Sequence, residues 1–401
     1  AEDRNTAPDR TRINLFNNEV TGVNGQVALK FATGGVRHRL LVGADFSRTR
    51  QTGLRDGTVP PVGEPFPIKA FPDTDYDQGG LFVQDSIAIA DGRLLLYPAV
   101  RLDHYRLSPT PSPQFPGQVA GQSGQRVSPK LGFVGWITPA IGLFGSYAEG
   151  FRSPTPSQVN NGFANPVQGY LSLPNPDLRP ETSRAWEGGL RLRDAKLAGI
   201  TLNGQINGFT ARYRDFIDQL QVGGSFTPQD PAQFQFINFG RVAIEGVEAK
   251  LDAALGGGFG ANVAMAWARG TASGARPGQA AVATPLSPIS PFNIVAGLNW
   301  RGLADRLFVQ AIVTHSAGKQ QAEIAEACSP ACFASPAFTI IDATAAFSIT
   351  PNAQARIGVF NLTNRKYWWW NDVRGLAASS PITDAFTMPG RNISASIIFR
   401  Y

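Results

Sequence analysis

The pattern of apolar and polar positions repeats with period two almost everywhere along the chain, and helical periodicity is hard to find. At the C-terminus Ile393, Ala395, Ile397, Phe399 and Tyr401 take one face, while Asn392, Ser394, Ser396 and Arg400 take the other; only Ile398 breaks the polar set. The same dyad sets Val247, Ala249, Leu251, Ala253 and Leu255 against Glu248, Lys250 and Asp252. It sets Ile200, Leu202 and Ile206 against Thr201, Asn203, Gln205 and Asn207. Strands this long, apolar on one face and polar on the other, suit a barrel with lipid outside and water or a plug within.

About fifteen such strands are expected, near 19–33, 36–50, 78–91, 93–108, 125–138, 141–152, 181–196, 198–218, 232–255, 258–272, 290–303, 305–319, 337–349, 352–370 and 389–401. Tight turns at Gly34-Gly35, Asp91-Gly92, Pro139-Ala140, Gly256 to Gly258 and Pro351 alternate with long polar loops. That asymmetry is the one outer-membrane barrels show, with short turns in the periplasm and long loops outside. A β-propeller would repeat about every 40 residues, and no such repeat is present. Bacterial single-chain barrels have even strand numbers, so fifteen implies that part of the wall lies elsewhere or that the count is off by one.

Composition fits this picture. Of 401 residues 43% are hydrophobic and 10% aromatic, yet only 16% are charged, so either the core is large or one outer surface is not wet. No apolar run reaches the roughly 18 residues of a membrane-spanning helix. The net charge of +6 comes from scattered arginines without a basic block, which argues against a nucleic-acid footprint. The two cysteines, Cys328 and Cys332, are expected to form a short-loop disulfide in an oxidising compartment, because no third or fourth metal ligand lies near them.

The histidines His38, His104 and His315 fall on three separate strands, and Asp103 and His104, being adjacent in a strand, point to opposite faces. No His-x-x-x-His pair, Gly-x-Ser-x-Gly elbow or P-loop is present, so neither a catalytic residue nor a metal site is expected. A membrane-embedded hydrolase is correspondingly the weaker class.

Two stretches carry a resemblance. SYAEGFRSPTPSQVNNGFANPVQGYLSLPNPDLRPETSRAWE spans Ser146 to Glu187, and Val359 to Tyr401 runs from VFNLTNRKYWWWNDVRG to MPGRNISASIIFRY. Together they resemble the C-terminal barrel signatures of TonB-dependent outer-membrane receptors: Phe-Arg-x-Pro (Phe151, Arg152, Pro154), Asn-Pro-x-Leu-x-Pro-Glu (Asn175, Pro176, Leu178, Pro180, Glu181), Asn-Leu-Thr-x-x-x-Tyr and a terminal aromatic strand. The Tyr-Trp run followed by Asp-Val-Arg-Gly, with FPIKAFPDT at Phe66 to Thr74, looks most like the haem and haemoglobin receptor branch.

The resemblance implies an all-β, transmembrane antiparallel β-barrel, with residues 1–401 as a partial barrel domain holding about the last 15 of 22 strands and no plug domain. The first strand would then be the eighth, a descending one. It implies a bacterial outer-membrane location and haem, free or on a haem-carrying protein, as transported ligand and not as a permanent cofactor. Partners would be the TonB energy-transducing complex through a plug, the outer membrane with its lipopolysaccharide, and the barrel-assembly machinery, for which Phe399 and Tyr401 would form the signal. A ferric-siderophore receptor is the alternative within the class, and a passive porin-like barrel the alternative outside it.

Haem receptors resembled here often carry a histidine iron ligand in the loop 152–181, and this loop has none. That departure either rules out haem or requires another ligand; Tyr170, the loop's only tyrosine, is the candidate, since phenolate binds ferric haem well, and the alternative is that it is one more rim aromatic. Arg152, Asn175 and Arg179 are candidate loop contacts, Arg179 as a cation favouring the phenolate. Arg152 and Glu181, at the loop's two ends, can instead pair to fix its base. Tyr367, Trp368, Trp369 and Trp370 are expected at the outer end of a strand as part of an aromatic girdle, with ligand contact as the alternative.

Overall fold

The computed structural model describes residues 11–60, 65–115, 117, 119–227, 229–274, 282–326 and 328–400. Its strands are β1 (Arg12–Thr33), β2 (Val36–Gly57), β3 (Thr74–Ile89), β4 (Leu94–Pro109), β5 (Gln122–Trp136), β6 (Ile141–Arg152), β7 (Ala164–Asn165), β8 (Tyr170–Leu173) and β9 (Glu181–Leu197). They continue as β10 (Ile200–Gly223), β11 (Ala232–Gly256), β12 (Phe259–Gly274), β13 (Val282–Pro285), β14 (Asn293–Gly302), β15 (Leu307–Ser316), β16 (Phe338–Thr350), β17 (Ala353–Phe360) and β18 (Asn392–Phe399). Two one-turn helices, α1 (Pro156–Val159) and α2 (Trp370–Val373), lie in long connections.

Fifteen strands make the wall, each antiparallel to the next along the chain, and β7, β8 and β13 are short pieces inside loops. Among the described residues β1 pairs with β2 and β18 with β17, and neither has a ladder on its other edge. The connections alternate as the sequence implies. Tight turns follow β1, β3, β5, β9, β11, β14 and β16, and long loops follow the strands between. At the turn after β11 a side chain on Gly258 (φ 83°) would lie 2.0 Å from the Arg301 carbonyl oxygen, so glycine is required there.

Register explains the alternation of chemistry. Ala44, Leu81, Leu102 and Val127 stand side by side across β2 to β5, and one residue along stand Asp45, Gly80, Asp103 and Arg126. On the polar face Arg101 forks onto Asp45 at 2.7 and 3.0 Å and also holds Asp103 at 2.7 Å. The apolar face stays open: Leu81 is 59% exposed, Leu131 53% and Ile393 70%. An uncovered apolar band on every wall strand is the lipid-facing surface of a membrane barrel. The buried apolar clusters lie instead at the outer strand ends and loops, one of Leu107, Val159, Leu178 and Ile217, the other of Phe338, Ile340 and Tyr367.

One strand is shorter than expected. The strand placed near 352–370 stops at Phe360, because Asn361 turns into the left-handed region (φ 48°) and its buried amide binds the Arg365 and Pro389 carbonyls at 2.8 and 3.1 Å. Tyr367 to Trp370 consequently belong to the loop and not to a girdle: Tyr367 and Trp370 are buried within the cap of loops, away from lipid.

Candidate ligand-capture site

The loop 153–180 joins β6 to β9 and is folded, not slack. Its prolines, Pro154, Pro156, Pro174, Pro176 and Pro180, cannot donate to a ladder, so side chains and neighbouring loops satisfy the backbone instead. Thr155 and Gln158 form a capping box that starts α1. The buried Asn160 closes a two-way bond with the Ala120 backbone, at 2.8 and 2.9 Å, tying this loop to the one after β4. Val159 and Leu178 plug down between Leu107 and Ile217, with Tyr76, Ala120 and Phe236 around them.

Arg152 and Glu181 are register partners at the loop's base. The Arg152 Nε donates to Glu181 Oε2 at 2.6 Å, and a second, shorter bond joins its terminal nitrogen to Oε1. Oε1 also accepts the Ile217 N–H at 2.7 Å, so the buried carboxylate is fully engaged. Phe151 packs its ring 5.9 Å from Tyr105, Pro154 is fully buried, and the Pro176 and Leu178 carbonyls both accept from the Gln122 amide.

Asn175 and Arg179 are also occupied by the loop's own architecture. Asn175 donates to the Phe236 carbonyl at 2.8 Å and accepts from the Asp177 N–H at 3.1 Å. Arg179 exchanges backbone bonds with the Asn238 side chain at 2.8 Å each and turns its guanidinium to Asp215 at 2.5 Å. The cation that the sequence analysis assigns to Tyr170 is therefore committed to a carboxylate.

Tyr170 follows Gly169, which sits at φ 65° with the Phe226 carbonyl 2.8 Å from where a side chain would begin. That close approach lets β8 run parallel to the start of β11, Tyr170 opposite Ala232. The half-buried ring lies 5.9 Å from Phe163 and 6.1 Å, edge-on, from Phe234, which in turn meets Phe226 at 6.0 Å. Arg55 stacks over Phe163 at 4.9 Å. The side chains around this candidate ligand that sequence reasoning missed are Phe163, Phe226, Phe234 and Arg55, which come from three loops or strand ends far apart in the chain. No local motif marks them.

The loops 286–292, 317–337 and 361–391 form a second unit beside this one. Trp370 is buried and donates its indole N–H to the Ser287 carbonyl at 2.6 Å, while Lys319 lies over its ring at 5.4 Å and donates to the Ile289 carbonyl at 2.8 Å. Burial pulls the Lys319 ammonium below its ordinary range. Cys328 and Cys332 are joined as a disulfide, and Phe333 and Ala378 exchange backbone bonds across to Leu376 and Ala331 at 2.8 Å each. Tyr401 lies outside the described residues, and Phe399 is exposed on β18.

His38 binds Asp85 at 2.7 Å and Thr33 at 2.9 Å, and His315 binds Thr339 at 2.8 Å. Among the described residues no group of three or more His, Cys, Asp or Glu side chains is placed to hold a metal ion.

An antiparallel wall with a continuous apolar outer face, a charged inner face and knitted loops on one rim defines a transmembrane β-barrel of the receptor type. The chain belongs to the family of TonB dependent receptor-like β-barrels, whose model matches residues 2–362. It is 26% identical over 349 residues to the Hemoglobin-haptoglobin utilization protein B of Neisseria meningitidis serogroup C, covering 76% of this chain and 42% of that protein. It is 27% identical over 288 residues to the Probable hemoglobin and hemoglobin-haptoglobin-binding protein 4 of Haemophilus influenzae, covering 63% of this chain and 27% of the relative. Among solved structures it resembles the hemophore receptor HasR of Serratia marcescens, solved with its hemophore HasA and heme, at TM-score 0.74 and 18% identity over 97% of this chain and 60% of that one. The chain therefore spans less than half the length of these two curated relatives.

Proposed function

We propose that this chain forms barrel wall and outer loop cap of a bacterial outer-membrane receptor that takes up haem, free or from haemoproteins. The observation that carries the reading is the matched relatives, named for haemoglobin and haemoglobin-haptoglobin, over 63% and 76% of this chain. A ligand the size of haem exceeds what a passive pore admits, so loops must bind it before a plug moves. A folded cap on a barrel rim suits that order of events, and a binding role accounts for it without catalysis.

In this reading haem is cargo. Tyr170 supplies a phenolate to ferric iron, and Phe163, Phe226 and Phe234 offer faces on which the porphyrin stacks. Arg152, Asn175 and Arg179 act by holding the loop's shape. A second iron ligand and the coupling to TonB come from a plug. The protein resides in the outer membrane among lipopolysaccharide, inserted by the barrel-assembly machinery with Phe399 and Tyr401 as its signal. The ferric-siderophore alternative is favoured by one feature, the lack of histidine in 153–180.

The test is growth on haem or haemoglobin as sole iron source in a strain lacking the gene. The complete gene should restore growth, and a version without 153–180 should not. Growth restored only by a ferric siderophore would replace the haem reading with the siderophore one.

A further inference from the structure

The segment FPIKAFPDT, Phe66 to Thr74, closes the connection from β2 to β3. Its prolines, Pro67 and Pro72, cannot donate to a ladder, and its remaining backbone groups turn outward to neighbours instead. Ile68 exchanges bonds with Arg55, near the tip of β2, at 2.8 and 2.9 Å. The Lys69 N–H donates to the Gln114 carbonyl at 2.8 Å, and the Asp73 carbonyl accepts the Thr110 N–H at 2.7 Å, both from the connection after β4. The Ala70 carbonyl accepts the Gly162 N–H at 2.8 Å, inside the loop 153–180. One short segment therefore joins connections that are far apart in the chain.

The chain bends at Ala70 and Phe71, and the bend aims the Ala70 carbonyl at Gly162. Phe71 is buried against Gly53, where a side chain would begin 2.8 Å from the ring, and meets Phe16 edge-on at 5.9 Å; Pro72 is fully buried. Across the bend the Lys69 ammonium donates to Asp73 Oδ2 at 2.6 Å, with the two side chains only 12% and 31% exposed. Asp73 Oδ1 is shut off from solvent and has no hydrogen-bond partner among the described residues. The carboxylate thus depends on Lys69 to offset its desolvation.

The receiving side is equally tight. A side chain on Gly162 would begin 2.5 Å from the buried ring of Phe115, so glycine is what lets the loop pass this close. The next residue, Phe163, holds its ring 5.9 Å from Tyr170 and accepts the Ser172 N–H on its carbonyl at 2.7 Å. Tyr170 itself stands opposite Asn165 in the β7–β8 ladder. From Lys69 to Tyr170 every step is a direct contact: the ion pair, the Ala70–Gly162 bond, then Phe163.

We propose that Lys69 is a positioning residue for ligand capture: its ion pair with Asp73 fixes the bend whose Ala70 carbonyl anchors Gly162, and so holds Phe163 and Tyr170 in their binding arrangement. The inference rests on the reading of Tyr170 as a ligand to haem iron. Without the ammonium, the bend relaxes to hydrate the carboxylate left behind. The apparent Kd then rises by the reciprocal of the fraction of molecules that keep the loop in its binding shape, while the bound form, once selected, is the same.

The experiment titrates the whole receptor with ferric haem and follows backbone hydrogen exchange of the unliganded protein. In Lys69→Met, residues 160–173 should exchange about tenfold faster or more, and ferric haem should bind about tenfold more weakly, as when about one molecule in ten holds the binding shape. Exchange within 361–376 should stay as it was. At saturation the spectrum of Lys69→Met should match that of the unaltered receptor, which separates positioning from ligation, because Tyr170→Phe changes the spectrum itself. Lys69→Arg, which keeps a cation for Asp73, should bind within about twofold of the unaltered receptor. Unchanged exchange and affinity in Lys69→Met would overturn the proposal, and so would equal losses in Lys69→Met and Lys69→Arg. Should Lys69→Met not yield a wall with heat-modifiable migration, Gly162→Ala displaces the same joint with the ion pair intact; a matching loss of affinity would support the proposal and normal binding would overturn it. Failure of the haem reading shows separately, as a ferric spectrum that Tyr170→Phe leaves unaltered, while exchange in 160–173 still decides the role of Lys69.

Discussion

Tyr170 has its backbone pinned by Gly169 and β11 and its ring caged by phenylalanines, while its hydroxyl has no hydrogen-bond partner among the described residues. If that oxygen ligates haem iron in the whole receptor, Tyr170→Phe removes the phenolate charge-transfer bands of the ferric spectrum. Haem affinity should fall at least about tenfold, a change of 1.4 kcal/mol. An unchanged spectrum would return Tyr170 to a packing role. Tyr367 makes a different prediction, about pH. Burial, and then the Asp342 charge, raise its phenol above the ordinary range. In the unfolded loop the phenol loses its proton near pH 10, whereas in the folded loop it keeps it longer. The unfolded state thus binds fewer protons in that window, and stability of the cap falls as pH rises through about 10. Absorbance at 295 nm should show a late-titrating tyrosine that Tyr367→Phe abolishes, together with a shallower alkaline loss of stability.

At the scale of elements, the two loop units are small cores of their own on the rim of the wall. Trp370 is the centre of the second, so Trp370→Ala should cost about 3–5 kcal/mol, confined to that unit. Limited proteolysis should then cut within 317–337 and 361–391, while the wall keeps its heat-modifiable migration; loss of the wall as well would mean that loops and barrel fold as one. The Cys328–Cys332 bridge closes a short loop against the 376–378 segment. Both cysteines should resist alkylation until reduced, and reduction should destabilise the loop by about 2–3 kcal/mol, seen as faster hydrogen exchange in 328–333. Quantitative labelling without reductant would remove the bridge.

On the whole-molecule scale, the wall of fifteen strands has two edges, β1 and β18, whose outer backbone groups have no strand partner among the described residues. Lipid cannot satisfy those groups, so residues 1–401 expressed alone should not give a heat-resistant closed barrel in detergent. Heat-modifiable migration of that polypeptide would show that β1 and β18 find each other. The same geometry explains why both faces of the wall are open while only one is polar. Chemistry, and not burial, separates lumen from lipid: Glu248 and Lys250 on one side, Ala249 and Leu251 on the other.

Alternation alone was sufficient to reveal the wall. A period of two in side-chain direction converts directly into two chemically distinct faces, and lipid on one side demands that the contrast hold in every strand, so dyads such as those from 200 to 207 and 247 to 255 carry their fold locally. The tight turns were legible for the same reason, because left-handed backbone needs Gly or Asp at positions such as Asp91 and Gly257. The motif at 151–154 and 175–181 located the loop, and the pairing of Arg152 with Glu181 followed from their register. What the chain's pattern could not reveal was where a strand would stop when a polar side chain captured the backbone, as Asn361 does, and so Tyr367 to Trp370 read as strand when they are loop core. Nor could it reveal the company of Tyr170. Phe163, Phe226, Phe234 and Arg55 meet only because loops and strand ends far apart in the chain fold over one rim. Those contacts are long-range, and long-range contacts are decided by tertiary structure because no spacing along the chain encodes them.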